Sequence, residues 1–130
     1  MTKYFAAALM MFATSVANAE WYVMSNVSDD GYTYYLDPAT IEKNGNISRV
    51  WELVDYFEIQ SQDNDRFVSE KILRVYDCDA DKSSIESITQ YTGRMAGGKT
   101  VWSNTYKDPI WRTVVKDSLG ESLLRIACRR

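Results

Sequence analysis

Gly93-Arg94-Met95-Ala96-Gly97-Gly98-Lys99-Thr100 has the GxxxxGKT spacing of a phosphate-binding loop. That chemistry needs a buried strand leading in and a helix N-terminus leading out, so that backbone N–H groups and the helix dipole hold the phosphates. The residues that follow, Val101-Trp102-Ser103-Asn104-Thr105-Tyr106, have the composition of a strand. A glycine turn is therefore expected here, and nucleotide binding is not. Asp77, Asp79 and Asp81 alternate like the start of a calcium loop, but Lys82 stands where that loop requires glycine and Ile88 where it requires the bidentate Glu. They are expected to be solvated turn carboxylates.

The chain contains no histidine. A Ser-His-Asp or Cys-His nucleophile, an imidazole zinc site and a His-ligated haem are all excluded on that ground. Its 18 acidic residues leave many pairs that could act as general acid and base, but no spacing selects one. No catalytic residue, metal ligand or cofactor is assigned, and the protein is expected not to be an enzyme. The formal charge of −3 also argues against a nucleic-acid partner, which favours a basic face.

Residues 1–19, MTKYFAAALMMFATSVANA, begin with basic Lys3, continue in an apolar run from Tyr4 to Ala13 and end on small residues at Ala17 and Ala19. This is the layout of a secretory signal peptide, with cleavage expected between Ala19 and Glu20. The alternative, a membrane anchor, needs an apolar run of roughly 20 residues. No later stretch is as hydrophobic, so no transmembrane segment is expected after cleavage. Glu20, rather than a cysteine, begins the mature chain, so no lipid anchor is expected at that end. Removing 19 of 130 residues leaves 111; losing Lys3 leaves 14 basic against 18 acidic residues, a net charge of −4. One domain over residues 20–130 is expected.

Cys78 and Cys128 are the only cysteines, and export places them where disulfides persist. Pairing them is the simplest arrangement. The rival, a redox-active or intermolecular thiol, finds no C-x-x-C spacing to support exchange chemistry. In the chain-entropy picture, closing this loop stabilises the fold by about 4 kcal/mol.

The elements that position these residues are mostly strands. Trp21–Met24 and Tyr32–Leu36 are rich in aromatic and β-branched residues around the turn residues Ser28-Asp29-Asp30-Gly31, which reads as a hairpin. Asp37-Pro38 is expected to end its second strand, and Lys43-Asn44-Gly45-Asn46 to form the next turn. From Ile47 to about Ile59, alternation puts Ile47, Trp51, Leu53, Phe57 and Ile59 on one side. Ser48, Val50, Glu52, Val54, Tyr56 and Glu58 form a mixed apolar and charged other side. Phe67–Tyr76 should pair with that strand as an antiparallel hairpin. Further strands are expected over Ile85–Tyr91 and Thr100–Tyr106, and Asp108-Pro109 breaks regular structure. Ser118-Leu119-Gly120-Glu121 fits a capping box, and Leu119, Leu123, Ile126 and Ala127 follow at helical spacing up to Cys128. The expected fold is α+β and mainly β: a small antiparallel sheet of about six strands, with a C-terminal helix packed on it and one disulfide.

Four tryptophans and eight of the nine tyrosines lie in the mature chain, most of them in these strands. Most are expected in the core, with some left as a contact surface, since Tyr and Trp favour interfaces. Asn26-Val27-Ser28 and Asn46-Ile47-Ser48 are glycosylation sequons only in a cell that glycosylates its exported proteins.

The order of early Trp21, Tyr34-Tyr35-Leu36-Asp37, Val50-Trp51-Glu52-Leu53, Ser69 with Lys71, Asp77-Cys78, Trp111, Ser118, Glu121, Leu123 and Cys128 resembles the bacterial surface-adhesin protein E family. The resemblance covers essentially the mature chain. It implies a small antiparallel sheet with a disulfide-held C-terminal helix, and a bacterial envelope or surface protein with a binding role. The family's namesake is an outer-membrane lipoprotein adhesin that engages host extracellular-matrix proteins, binds haem and can dimerise. The implied partners are thus a matrix or envelope protein and a second copy of the chain. This sequence departs from the namesake in lacking both a lipidation cysteine after the signal segment and any histidine for haem. The competing expectation is a periplasmic accessory or structural module of an envelope complex.

Overall fold

A computed structural model describes residues 19–27 and 31–130. The expected signal segment lies outside the described residues except for Ala19, and so does most of the first turn, residues 28–30. The chain builds one antiparallel meander: β1 (Tyr22–Val27), β2 (Tyr32–Asn44), β3 (Ile47–Gln62), β4 (Asp65–Asp77), β5 (Lys82–Tyr91) and β6 (Thr100–Thr105), each strand beside the next. A two-residue strand, β7 (Arg112–Thr113), returns to β5, and the helix α1 (Leu119–Cys128) closes the chain.

β2 does not stop at Asp37-Pro38. Its register to β3 breaks between Asp37 and Glu42 and then resumes. Proline's missing N–H falls inside this bulge, where no ladder bond is needed. The bulge is held locally: the Asp37 carboxylate accepts from the Ala39 N–H (3.1 Å), and the Thr40 hydroxyl donates to the Asp37 carbonyl (2.7 Å). The Trp51 N–H donates to the Thr40 hydroxyl (3.0 Å). A side chain thus supplies an acceptor to the β3 backbone where the strand register is broken.

The core lies between α1 and the mixed side of β3. Val50 and Val54 pack with Tyr34, Leu36, Ile72, Tyr76, Leu123, Leu124 and Ala127. The more apolar-looking side splits: Leu53 is buried and Trp51 is partly covered, with the Lys71 ammonium 4.5 Å from its ring centroid. Phe57 and Ile59 lie at a second register break, between Asp55 and Gln60, and are exposed. Simple alternation cannot be carried across such a break.

The helix starts where the capping residues place it. Ser118 Oγ accepts from the Glu121 N–H (3.3 Å), but the Glu121 carboxylate pairs with Arg125 (3.3 Å). Leu123, Leu124, Ala127 and Cys128 are its buried residues, whereas Ile126 is exposed. The buried stripe is thus rotated from the expected one, to include Leu124. Two tethers set that rotation: the Cys78–Cys128 disulfide, and the Ser48 hydroxyl donating to the Ala127 carbonyl (2.6 Å). Arg129, in the left-handed region at φ 56°, ends the helix, and its N–H reaches the Arg125 and Ile126 carbonyls.

Candidate functional site

Glu52 is entirely enclosed, at 0% exposure. A buried carboxylate is costly unless its oxygens are matched by donors and its charge by a cation. Both conditions are met. Oε1 accepts from the Tyr34 hydroxyl and from Arg74 Nε (2.9 Å); Oε2 accepts from the Tyr76 hydroxyl (2.5 Å). Arg74 Nη2 also lies 3.3 Å from the Tyr34 oxygen. Burial, reinforced by the Glu52 charge, raises the pKa of both phenols well above the usual 10.0, so they stay protonated donors. Burial works against the Arg74 charge, but Glu52 and the surrounding phenol oxygens outweigh it and the guanidinium pKa is raised. With both oxygens occupied in this way, Glu52 is a structural anchor across β2, β3 and β4.

Beside this anchor the β5 edge opens into a pocket of about 180 Å³. Arg74 and Arg112 bring guanidinium groups to its lining, Asp108 a carboxylate, and Ile85, Tyr106 and Ile110 apolar surface. The connector from β6 to β7 forms its outer side. That connector and the residues after it expose Tyr106, Ile110, Trp111 and Val115, the last at 68%. Of the four tryptophans, Trp111 is the exposed one; Trp21, Trp51 and Trp102 are partly covered. A wider groove of about 780 Å³ runs between α1 and Thr113–Lys116, but its charges are largely matched, Glu121 to Arg125 and Asp81 to Arg130. The connector pocket is therefore the stronger candidate for a contact with something outside the chain.

Other residues singled out by sequence have local structural roles. Cys78 and Cys128 are bonded, with Cα atoms 5.7 Å apart. Ala19 and Glu20 are exposed and precede β1. The GxxxxGKT stretch is a tight loop with a one-turn 3-10 helix at Arg94–Ala96 and the strand β6 directly after it. Gly93 N–H donates to Gly97 (3.0 Å), and Gly98 holds φ +72° so close to Thr92 that a Cβ would sit 2.4 Å from its hydroxyl. The loop is stapled to β3 by Arg94, which donates to the Tyr56 (2.8 Å) and Phe57 (3.0 Å) carbonyls. Asp77 uses one carboxylate oxygen to accept from the Asp79 and Ala80 N–H groups and the Asn46 amide, each at 3.1 Å. The Ala80 backbone bond, with these neighbours, holds its pKa below the ordinary carboxylate value. Asp81 pairs instead with Arg130. These aspartates shape a turn. Sequence reasoning missed the pocket and the Glu52 anchor. A charged residue flanked by Val50 and Val54 was the available signal for Glu52.

Comparison with known proteins agrees with this architecture. The model of the family described as surface-adhesin protein E matches residues 21–129. No curated protein sequence matches the chain. Among solved structures, crystal form II of Haemophilus influenzae protein E aligns with a TM-score of 0.58 at 13% identity, covering 85% of this chain and 97% of that one. Protein E from non-typeable Haemophilus influenzae gives a TM-score of 0.55 at 13% identity, covering 86% of each chain. At such identities the structures share the fold, while the family match spans nearly the whole described chain. The chain belongs to the surface-adhesin protein E family.

Proposed function

We propose that this protein is an exported, non-enzymatic adhesin whose mature domain, residues 20–130, begins at Glu20 after cleavage behind Ala19 and binds a protein partner. Membership in a surface-adhesin family supports the coarse assignment. The observation that carries protein binding is the concentration of exposed Tyr106, Ile110, Trp111 and Val115 on one connector and its continuation. Scattered single apolar residues are ordinary on protein surfaces, but Tyr106, Ile110 and Trp111 share neighbouring pockets, and an apolar group with polar neighbours marks a contact site. Arg49, Lys107 and Glu86 border the same connector and supply a polar rim. The partner is a host extracellular-matrix protein or another envelope protein. The test is binding of purified mature protein to immobilised laminin, vitronectin and envelope proteins, with saturable binding expected and its absence from all of them overturning the proposal.

Glu20 favours a second reading. Without a cysteine there, the mature N-terminus has no thiol for lipid attachment, as suits a periplasmic accessory module. Protease treatment of intact cells separates the two: a surface adhesin is degraded, whereas a periplasmic module survives.

A further inference from the structure

The pocket beside Arg74 coincides with an interruption in the sheet. β5 pairs with β6 from Ser87 to Tyr91 and with β7 at Lys82 and Ser83. Between these stretches, Ser84, Ile85 and Glu86 have no strand register on that edge, and the bond from the Tyr106 N–H to the Glu86 carbonyl (2.9 Å) marks one end of the gap. An unpaired strand edge offers backbone donors and acceptors to an extended peptide. Here the opening is short and bounded by paired strand at both ends: the Glu86 carbonyl is already taken by the Tyr106 N–H, and Ser84 is buried. So short an opening suits the end of a chain better than a strand that runs through.

The side chains of the pocket suit such an end. Arg74 commits Nε and Nη2 to the Glu52 and Tyr34 cluster, which fixes the guanidinium and leaves Nη1 outside those contacts. Arg112 is exposed and makes no ion pair among the described residues. Planar guanidinium groups are the side chains best matched to a carboxylate. Asp108 adds an acceptor for peptide N–H groups, and the Ser83 and Ser84 hydroxyls can act either way. Ile85, Tyr106 and Ile110 form an apolar wall in a volume that accommodates one side chain and not a large cofactor.

We propose that this interrupted edge of β5 captures the free C-terminal carboxylate of a partner polypeptide whose last residue is apolar, with Arg74 and Arg112 taking the carboxylate. This rests on the protein-binding reading above and names the chemistry of the partner. Arg74 is unsuitable for the test because its removal strands Glu52; Arg112 is exposed and substitutable.

The experiment is a titration of isotopically labelled mature protein followed by amide NMR shifts. Three probes are compared: acetyl-Ala-Val-Leu as the free acid, the same peptide as its C-terminal amide, and acetyl-Ala-Glu-Ala amide, which offers an internal carboxylate. The free acid is expected to shift residues 83–86 and 106–112 saturably. The other two should bind at least tenfold more weakly, and Arg112→Ala should weaken the free acid about tenfold without moving the unfolding midpoint. Equal binding of acid and amide, preference for the internal carboxylate, shifts confined to other regions, or no saturable shift overturns the assignment. Binding to whole matrix and envelope proteins is measured on the same sample. If that survives while the peptides fail, the carboxylate pocket alone is refuted; if both fail, the protein-binding reading falls as well.

Discussion

Glu52, Arg74, Tyr34 and Tyr76 make one interdependent unit, because each exists in its buried state only while the others supply charge or hydrogen bonds. Substituting Arg74→Met removes the only cation paired with a fully enclosed carboxylate among the described residues, and is expected to cost about 3–5 kcal/mol. The double substitution Glu52→Gln/Arg74→Met should recover part of that loss, which denaturant unfolding of the three proteins would measure. Tyr76→Phe removes a donor to a charged acceptor and should cost about 1.5–3 kcal/mol at neutral pH. Its alkaline behaviour provides a separate signature. Because the folded-state pKa values of Tyr34 and Tyr76 are raised above 10.0, their contribution is fully present below pH 10. As pH rises from there towards the folded-state values, the unfolded chain releases protons that the native state retains, so stability falls. The fall should be shallower in Tyr76→Phe, as read from unfolding midpoints between pH 7 and 11.

The helix illustrates what local pattern can and cannot specify about an element. Ser118 and the apolar spacing after it locate the start and length of α1, but both the stripe through Leu119, Leu123, Ile126 and Ala127 and the one through Leu123, Leu124, Ala127 and Cys128 are compatible with a helical period. Long-range tethers choose between them: Ser48 to Ala127 and Cys78 to Cys128, separated by 79 and 50 residues. Leu124→Ala should therefore cost about 2–5 kcal/mol, and Ile126→Ala no more than about 0.5, when their thermal or denaturant midpoints are compared. The same limit explains the other differences. The strands β1 to β6 and their hairpins were legible because alternation and turn residues are local. The continuation of β2 past Pro38 depends on a hydroxyl from Thr40 meeting Trp51, and β7 is too short to have a period. Glu52 falls on a mixed apolar and charged side with no role assigned by sequence, because its partners lie 18 to 24 residues away in sequence. The pocket was illegible for a related reason: it is formed by a missing piece of strand pairing and by a connector without periodicity.

At the scale of the whole molecule, a short chain wraps one sheet around one helix and ties the helix end to the end of β4. Replacing both Cys78 and Cys128 by serine should lower unfolding free energy by about 4 kcal/mol, because the unfolded chain regains the freedom of a long loop. Denaturant unfolding with and without reductant would measure this. A scaffold so held can present an irregular connector without distortion, and binding should depend on that connector together with the β5 edge it covers. The most direct measurement is surface plasmon resonance of mature protein over immobilised laminin, vitronectin and envelope proteins, comparing the native sequence with an Ile110→Asp/Trp111→Ser variant. Both substituted residues are exposed, so the variant should keep its fold. Saturable binding that weakens at least tenfold in the variant is the expected result; no saturable binding, or equal binding by the two proteins, would contradict the account.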